Sequence, residues 1–329
     1  MKKSFFCAAF AAFALVACEN KSLETHEDSD EMVNLEILIP DEQTKVAGVG
    51  GNEEKTIADY QVLIYDSTNN MLEAYLLHKD VATSIEIQCT TGPKEIVVMA
   101  NAPDLSKVVS FNTLKQTRSR LSDNAVKRLV MEGHVSQTLK SGSNTVEIEL
   151  ERLVSKVVLN SVKVDFELPA YDAMTFVVKS AYLINAAADK TYLSKTADPT
   201  EWYNKLKRET NTAVDAMLYE SVNSKITAPN TDSNAHHFYC YPNPYKSDTF
   251  STDWSPRPTR LVVEAELGGT LYYYPVSLPE LKQNTQCNVT LTVVRPGATS
   301  PEQDMDKYAA VFNIEVKDWY GPDSVTETI

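Results

Sequence analysis

The sequence predicts an all-β protein made of two tandem antiparallel β-sandwich domains with short helical insertions. Three observations predict this fold class: apolar residues alternate with period two over many short segments, turn-forming clusters separate those segments, and the composition favours ordered sheet. The chain has 329 residues, 43% of them hydrophobic, with 16 tyrosines and only 10 glycines. Such a length allows two domains that each bury a core of their own.

The first predicted domain covers residues 34–150. Alternation predicts five strands, separated by turn-forming clusters such as 66–70 and 91–93. The apolar side of the first strand carries Val33, Leu35, Ile37 and Ile39, and the other strands are 60–65, 84–89, 95–99 and 145–150. Near-helical spacing of Leu121, Val126, Leu129 and Val130 predicts a helical excursion within 112–134.

The second predicted domain covers residues 151–329. Residues 154–168 fit one bent strand or two strands, and 199–221 is expected to be partly helical, with Pro199 at a permitted N-terminal position. Gly268 and Gly269 predict the tight turn of a hairpin. The remaining strands are 175–188, 260–267, 270–276, 286–294 and 310–319.

Residues 1–17 are typical of a signal peptide, since Lys2 and Lys3 precede an apolar run too short to remain as a membrane-spanning helix. The run ends in LVAC, which resembles a bacterial lipobox, so we expect cleavage before Cys18 and lipidation of its sulfur. Acyl chains contribute about 0.8 kcal/mol per buried CH₂, enough to hold a multiply acylated chain at a membrane. Residues 18–33 are acidic and polar, which predicts a flexible tether.

Charge and motifs exclude several classes of function. The net charge is −14 and no stripe of Lys or Arg is present, so neither nucleic acid nor an anionic membrane surface is an expected partner. The sequence lacks GxSxG, HExxH and Walker A signatures. His236 and His237 are adjacent on a predicted strand and face opposite ways, while Asp304 and Asp306 lack the further oxygen ligands of a calcium loop. We therefore predict no enzyme activity, no metal and no cofactor.

Cysteines and aromatic residues leave alternatives open. After removal of Cys7 and lipidation of Cys18, three of the five cysteines remain, so buried free thiols are favoured over a single bridge. Those three are Cys89, Cys240 and Cys287, and the pair for a bridge would be Cys240 and Cys287. Tyrosine and tryptophan crowd 239–274, which indicates either a glycan-binding face or ordinary sandwich packing. The candidate glycan contacts are Tyr241, Trp254 and Tyr272.

The order of these features resembles the fimbrillin family, the type V pilins of Bacteroidales bacteria. The resemblance runs from Cys18 to Ile329. It rests on the lipobox, on RLVSKV at 152–157, on NVTLTV at 288–293 with RPGATSP at 295–301, and on VKDW at 316–319. It implies transthyretin-like sandwiches and a structural pilin subunit with a role in adhesion and biofilm formation.

The resemblance also implies a mode of assembly. Such precursors reach the outer membrane as lipoproteins, and a trypsin-like protease cuts the loop after the first strand. That strand leaves, and the C-terminal strands of another copy or of a related pilin fill the groove to build an extracellular fimbrium. The departing strand would carry Leu35, Ile37 and Ile39, and the donor Val311, Phe312, Ile314, Val316, Val325 and Ile329. The alternative for 310–319 is the last strand of its own sandwich.

Lys45 is the expected cleavage residue, with Val46 as the new N-terminus and Lys55 as the runner-up. Small residues and glycines follow Lys45 and make the backbone accessible to a protease. Members of the family are commonly cut after arginine, but this chain has none between the signal peptide and Arg118. An anchor subunit that keeps its first strand, a tip adhesin with a host glycan or protein ligand, and a non-polymerising glycan-binding surface lipoprotein therefore remain as alternatives.

Overall fold

The computed structural model describes residues 31–40, 54, 56–247 and 253–319, and the backbone of 324–328. Strand is the dominant secondary structure, as the sequence predicted, and the α-helices are single turns. They are α1 (Phe111–Leu114), α2 (Pro169–Asp172) and α3 (Asp215–Leu218). Within the described ranges no helix is long and apolar enough to cross a membrane.

The first half of the chain forms a three-stranded sheet that packs on a five-stranded sheet. Its strands are β1 (Met32–Leu38), β2 (Tyr60–Asp66), β3 (Leu72–His78), β4 (Ser84–Thr90), β5 (Gly92–Ala100), β6 (Arg118–Arg120), β7 (Met131–Leu139), β8 (Ser143–Glu147) and β9 (Glu151–Arg152). The small sheet has the order β4-β1-β8 and the large sheet has the order β3-β2-β5-β7-β9. One apolar core, which includes Val62, Ile64 and Val98, lies between them.

The second half forms a second sandwich from a six-stranded and a four-stranded sheet. Its strands are β10 (Ser155–Val164), β11 (Phe176–Ile184), β12 (Ala186–Ala187), β13 (Asp189–Thr191), β14 (Trp202–Tyr203), β15 (Tyr219–Ile226), β16 (Thr231–Asp232), β17 (His236–Cys240), β18 (Arg260–Leu267), β19 (Thr270–Ser277), β20 (Thr285–Val293), β21 (Ala310–Asp318) and β22 (Ser324–Thr328). The orders are β16-β10-β20-β21-β22, with β17 also on β10, and β15-β11-β18-β19.

The two sandwiches share one strand plan. In each, the first strand is central: β1 pairs antiparallel with β4 and parallel with β8, and β10 pairs antiparallel with β17 and parallel with β20. The predicted hairpin is present as β18 and β19, and Gly268 and Gly269 in its turn have φ of 59° and 87°, which glycine adopts without strain. A register shift between Leu159 and Ser161 makes β10 one bent strand.

The predicted helix within 112–134 is wrong apart from the turn α1 and a 3₁₀ turn at Leu121–Asp123. Leu121, Leu129 and Val130 are buried, but they cover the outer face of the five-stranded sheet from an irregular segment. Asp123 accepts a hydrogen bond from the backbone of Arg120 at 2.7 Å, which caps the 3₁₀ turn. The residues before it, Arg118–Arg120, are held extended by pairing with β13, so no longer helix forms.

The predicted helix from Pro199 is also wrong except for α3. Asp189 accepts hydrogen bonds from the backbone nitrogens of Thr200 (2.7 Å) and Glu201 (2.9 Å), which holds that stretch extended. Trp202 then pairs in β14 with Ala187 of β12.

Polar contacts and pairing join the two sandwiches. β6 of the first half pairs with β13 of the second, and Lys190 Nζ lies 3.2 Å from Glu132 Oε1 with both side chains buried. Tyr241 shares a buried hydrogen bond of 2.6 Å with Ser119. The larger apolar core runs through residues of both halves without a break. The halves therefore meet across a packed junction instead of an open linker.

Candidate functional site

β1 is the middle strand of the small sheet. Met32–Leu38 pairs antiparallel with Ser84–Thr90 of β4, and Asn34–Leu38 pairs parallel with Ser143–Glu147 of β8. Two backbone hydrogen bonds continue the pairing beyond the strand ends. Ile39 N donates to Thr83 O at 2.9 Å, and Ile148 N donates to Leu38 O at 2.9 Å. Both edges of β1 are therefore satisfied by the rest of the first sandwich.

The side chains of β1 divide by face as alternation predicts. Leu35 and Ile37 are 0% exposed, and Val33 and Ile39 are also buried in the core of the first sandwich. Burying a leucine or isoleucine fully stabilises by about 1.5–3 kcal/mol relative to leaving it exposed. On the outer face, Glu36 accepts a hydrogen bond of 2.9 Å from Ser84 Oγ.

Without β1, the small sheet would consist of two strands that do not touch. β4 and β8 would each present a row of unpaired N–H and C=O groups, and an apolar groove would lie between them. Its walls include Ile85 and Cys89 of β4 and Val146 of β8, all buried in the described fold. Such a groove would fit a strand that runs in the direction of β1 and carries apolar residues at every second position.

The predicted processing and lipidation residues lie outside the described residues. These are Cys18, Lys45, Val46 and Lys55. The described chain leaves β1 at Pro40 and returns at Glu54, so Lys45 belongs to the connection between β1 and β2. The assignment of the cut to Lys45 stays a prediction.

The predicted donor residues from Val311 to Val316 lie on β21, in their own sandwich. Phe312 and Ile314 are buried, and β21 pairs with β20 from Ala310 to Asp318. Val311 is 41% exposed, because neighbouring residues on a strand face opposite ways, so it does not share the apolar face. Val316 is partly buried and its register partner is Val325 of β22. Ile329 lies outside the described residues.

The aromatic region is mostly packing. Tyr241 is fully buried, and burial raises the pKa of its hydroxyl, so the prediction that it contacts a glycan is wrong. Trp254 is partly buried against Trp202, with ring centroids 5.6 Å apart, and Arg257 approaches its ring to 5.4 Å. Tyr272 is partly buried on β19. These contacts favour the packing alternative.

The described cysteines are buried free thiols, and the described metal-ligating side chains do not cluster. Cys89, Cys240 and Cys287 are free and buried, and burial raises the pKa of Cys240 to about 12. Cys240 lies on β17 and Cys287 on β20, and these two strands flank β10 on opposite sides. The two cysteines are therefore two strand spacings apart, which exceeds the Cα–Cα distance of about 7 Å that a disulfide bridge allows. The alternative of a Cys240–Cys287 bridge is therefore wrong. Among the residues that the structure describes, no cluster of three or more His, Cys, Asp or Glu is placed to hold a metal ion.

Comparison with known proteins supports the fold and the predicted resemblance. The family model of the major fimbrial subunit protein (FimA) matches residues 33–179, the stretch that contains β1, β4 and β8. The predicted resemblance to fimbrial subunits is thereby confirmed, and the family is one of structural subunits and not of enzymes.

Relatives of known sequence or structure support the same conclusion. A major fimbrium subunit FimC of Porphyromonas gingivalis is 25% identical over 281 residues, which cover 78% of this chain and 56% of that relative. The chain thus spans about half the length of the curated relatives it matches.

Solved structures share the fold. A cell adhesion protein from Bacteroides eggerthii DSM 20697 superposes with a TM-score of 0.67 at 19% identity, covering 88% of this chain and 96% of that one. A fimbrilin (FimA) from Porphyromonas gingivalis W83 superposes with a TM-score of 0.63 at 15% identity, covering 86% and 95%.

The sequence predicted β1 and, at 145–150, a strand that overlaps β8, but it did not predict that the two strands pair. β8 lies more than a hundred residues after β1 and pairs with it in parallel, and single-sequence alternation carries no information about such partners. Glu54, which is buried at the junction of the sandwiches, was also missed. The two cations inside the apolar stretch RLVSKV at 152–157 are a signal that a buried countercharge is needed.

Proposed function

We propose that the chain is a structural subunit of cell-surface fimbriae that polymerises by strand exchange at the site of β1. The observation that carries this proposal is the central position of β1, with Leu35 and Ile37 fully buried between β4 and β8. A strand in that position closes an apolar groove, and its removal creates a binding site for a strand of another chain. The family of residues 33–179 and the fimbrilin-like fold support assembly with other fimbrial subunits.

Export and processing precede assembly in this proposal. The lipidated Cys18 holds the precursor at the outer membrane until a trypsin-like protease acts on the connection between β1 and β2. Hydrolysis of the bond after Lys45 consumes one water and leaves a carboxylate on Lys45 and an amino group on Val46. β1 is then held only by noncovalent contacts, so it can leave with its lipid anchor.

The donor is the C-terminal segment of the next subunit. β22 is the outermost strand of its sheet and pairs only with β21, so its departure breaks one ladder. On β21, Ala310, Phe312, Ile314 and Val316 repeat the period-two apolar face that Val33, Leu35, Ile37 and Ile39 give to β1. Each subunit thereby offers a donor at one end and a groove at the other. Such head-to-tail contacts build an open filament when the rotation between subunits does not close a ring. The product is an extracellular fimbrium that serves adhesion and biofilm formation.

Limited trypsin treatment of the purified mature chain tests this function. We expect one cut near Lys45, followed by ladders that resist SDS on gels. The Lys45→Gln variant should remain uncut at that position and monomeric, and a chain lacking residues 320–329 should be cut but form no ladder. A synthetic peptide of residues 31–40 in excess should suppress the ladder of the wild type.

Two results would contradict strand exchange. One is a cut wild-type chain that stays monomeric, and the other is an equal ladder from the chain without residues 320–329. A wild-type chain that is never cut and keeps β1 would instead behave as an anchor subunit.

A further inference from the structure

Glu54 is a buried acidic residue at the point where the described chain resumes after β1. Its carboxylate oxygen Oε1 lies 2.7 Å from Lys156 Nζ, and the hydroxyl of Tyr239 donates a hydrogen bond to the same oxygen. Arg152 Nη2 donates a hydrogen bond of 2.9 Å to the backbone oxygen of Glu54. Glu54 is only 4% exposed, so both its backbone and its side chain are fixed to residues of β9, β10 and β17.

Glu54 supplies the negative charge opposite two buried cations, Arg152 and Lys156. Burial lowers the pKa of Arg152 to about 10 and lowers the pKa of Lys156, so both cations have lost most of their water. Trp319, which follows β21, packs on the same cluster, with Arg152 Cζ 4.8 Å from its ring and Tyr239 stacked at 6.1 Å. Removing a carboxylate from such a cluster leaves buried charge uncompensated.

A second set of contacts holds the next residues. Asn101 is buried, and its side chain donates to Thr56 O at 2.8 Å and accepts from Ala58 N at 2.8 Å. Asn101 is itself fixed by a bond of 3.0 Å to Leu129 O, and Ile57 lies in the core. The chain is therefore fixed on both sides of position 55.

We propose that Glu54 and residues 56–58 form an anchor that ends the cleavable segment and keeps the new N-terminal segment attached to the junction of the sandwiches after β1 leaves. A protease must draw the residues around the scissile bond into its active site, and buried, hydrogen-bonded backbone resists this. Cleavage is thereby confined to positions before Glu54, which selects Lys45 over Lys55. The anchor also holds the start of β2 when β1 no longer supports it. This inference rests on the proposed processing of the chain.

The test compares cleavage after Lys45 and Lys55 in the full mature chain, with products identified by mass. Glu54→Gln removes the countercharge, and Asn101→Gly removes the second clamp while keeping a residue suited to the φ of 58° at that position. Glu86→Gln is the matched control, because Glu86 is an exposed glutamate on β4. We expect the wild type and the control to be cut after Lys45 only, and each anchor variant to gain cleavage after Lys55 by at least about tenfold, since such cleavage follows the population of the locally opened form.

Hydrogen exchange separates the anchor from global stability and from polymerisation. The amide of Ala58 should be protected in the wild type and lose protection in both anchor variants, while the amides of β2 retain theirs. Wild-type cleavage after Lys55 as fast as after Lys45, or an unprotected Ala58 amide in the wild type, would overturn the anchor. Neither readout needs a ladder, so failed polymerisation of a cut chain would refute the proposed function and leave the anchor intact.

Discussion

Replacing Ile37 with alanine should lower the free energy of unfolding of the uncut chain by about 2–5 kcal/mol. Ile37 is 0% exposed in the core of the first sandwich, so the shorter side chain loses its transfer free energy and leaves a cavity. Urea unfolding at equilibrium measures the loss. Met32→Ala on the same strand is the control, since Met32 is 60% exposed and its truncation should change stability by no more than about 0.5 kcal/mol.

The same substitution has a second expected result that depends on the state of the chain. If β1 leaves on processing, Ile37→Ala should not change the resistance of assembled filaments to SDS or heat, because residue 37 is no longer in them. Filaments weakened by Ile37→Ala as strongly as the uncut chain would show that β1 is retained.

Glu132→Ala should destabilise the chain by about 3–5 kcal/mol, because it leaves Lys190 buried without its countercharge. Glu132 lies on β7 of the first sandwich and Lys190 on β13 of the second, with side-chain exposures of 6% and 2%. Burial lowers the pKa of Lys190, so little solvent is present to replace the carboxylate. Thermal unfolding should show the loss as a lower midpoint.

Two further variants show whether the pair itself is responsible. Glu132→Leu combined with Lys190→Met should recover most of the stability, because two apolar side chains of similar volume remove both buried charges. Asp165→Ala, which breaks the exposed pair with Lys163, should cost at most about 1 kcal/mol. Equal losses from Glu132→Ala and Asp165→Ala would contradict a buried pair at the junction.

Much of the fold could be predicted because apolar and polar residues alternate along several of its strands. The face of β1 and the hairpin of β18 and β19 follow directly from period two and from the Gly268–Gly269 turn. A helix was predicted within 112–134 because its apolar residues recur at near-helical spacing. These residues instead cover the outside of a sheet, and the same spacing is compatible with that role. β3 and β7 escaped prediction: β3 is only partly buried, and most residues of β7 after Gly133 are polar, namely His134, Ser136, Gln137 and Thr138.

The candidate site could be predicted only in part. The sequence marks β1 as a strand with one buried face, but not that both of its edges are paired, because the partner β8 is remote in the chain. The anchor at Glu54 depends on three-dimensional proximity to Arg152 and Lys156, and a single glutamate in an acidic stretch has no distinguishing pattern. The burial of Phe312 within its own sandwich likewise follows from pairing with β20.

The peptide content of assembled filaments tests the central claim most directly, namely that β1 is a temporary occupant of its groove. Purified filaments and the uncut chain are digested with trypsin, and the peptide of residues 22–45, which contains β1, is quantified by mass spectrometry against the peptide of residues 95–107 from β5. We expect equal amounts of the two peptides in the uncut chain and loss of the 22–45 peptide from filaments. Equal amounts of both peptides in the filaments would contradict it.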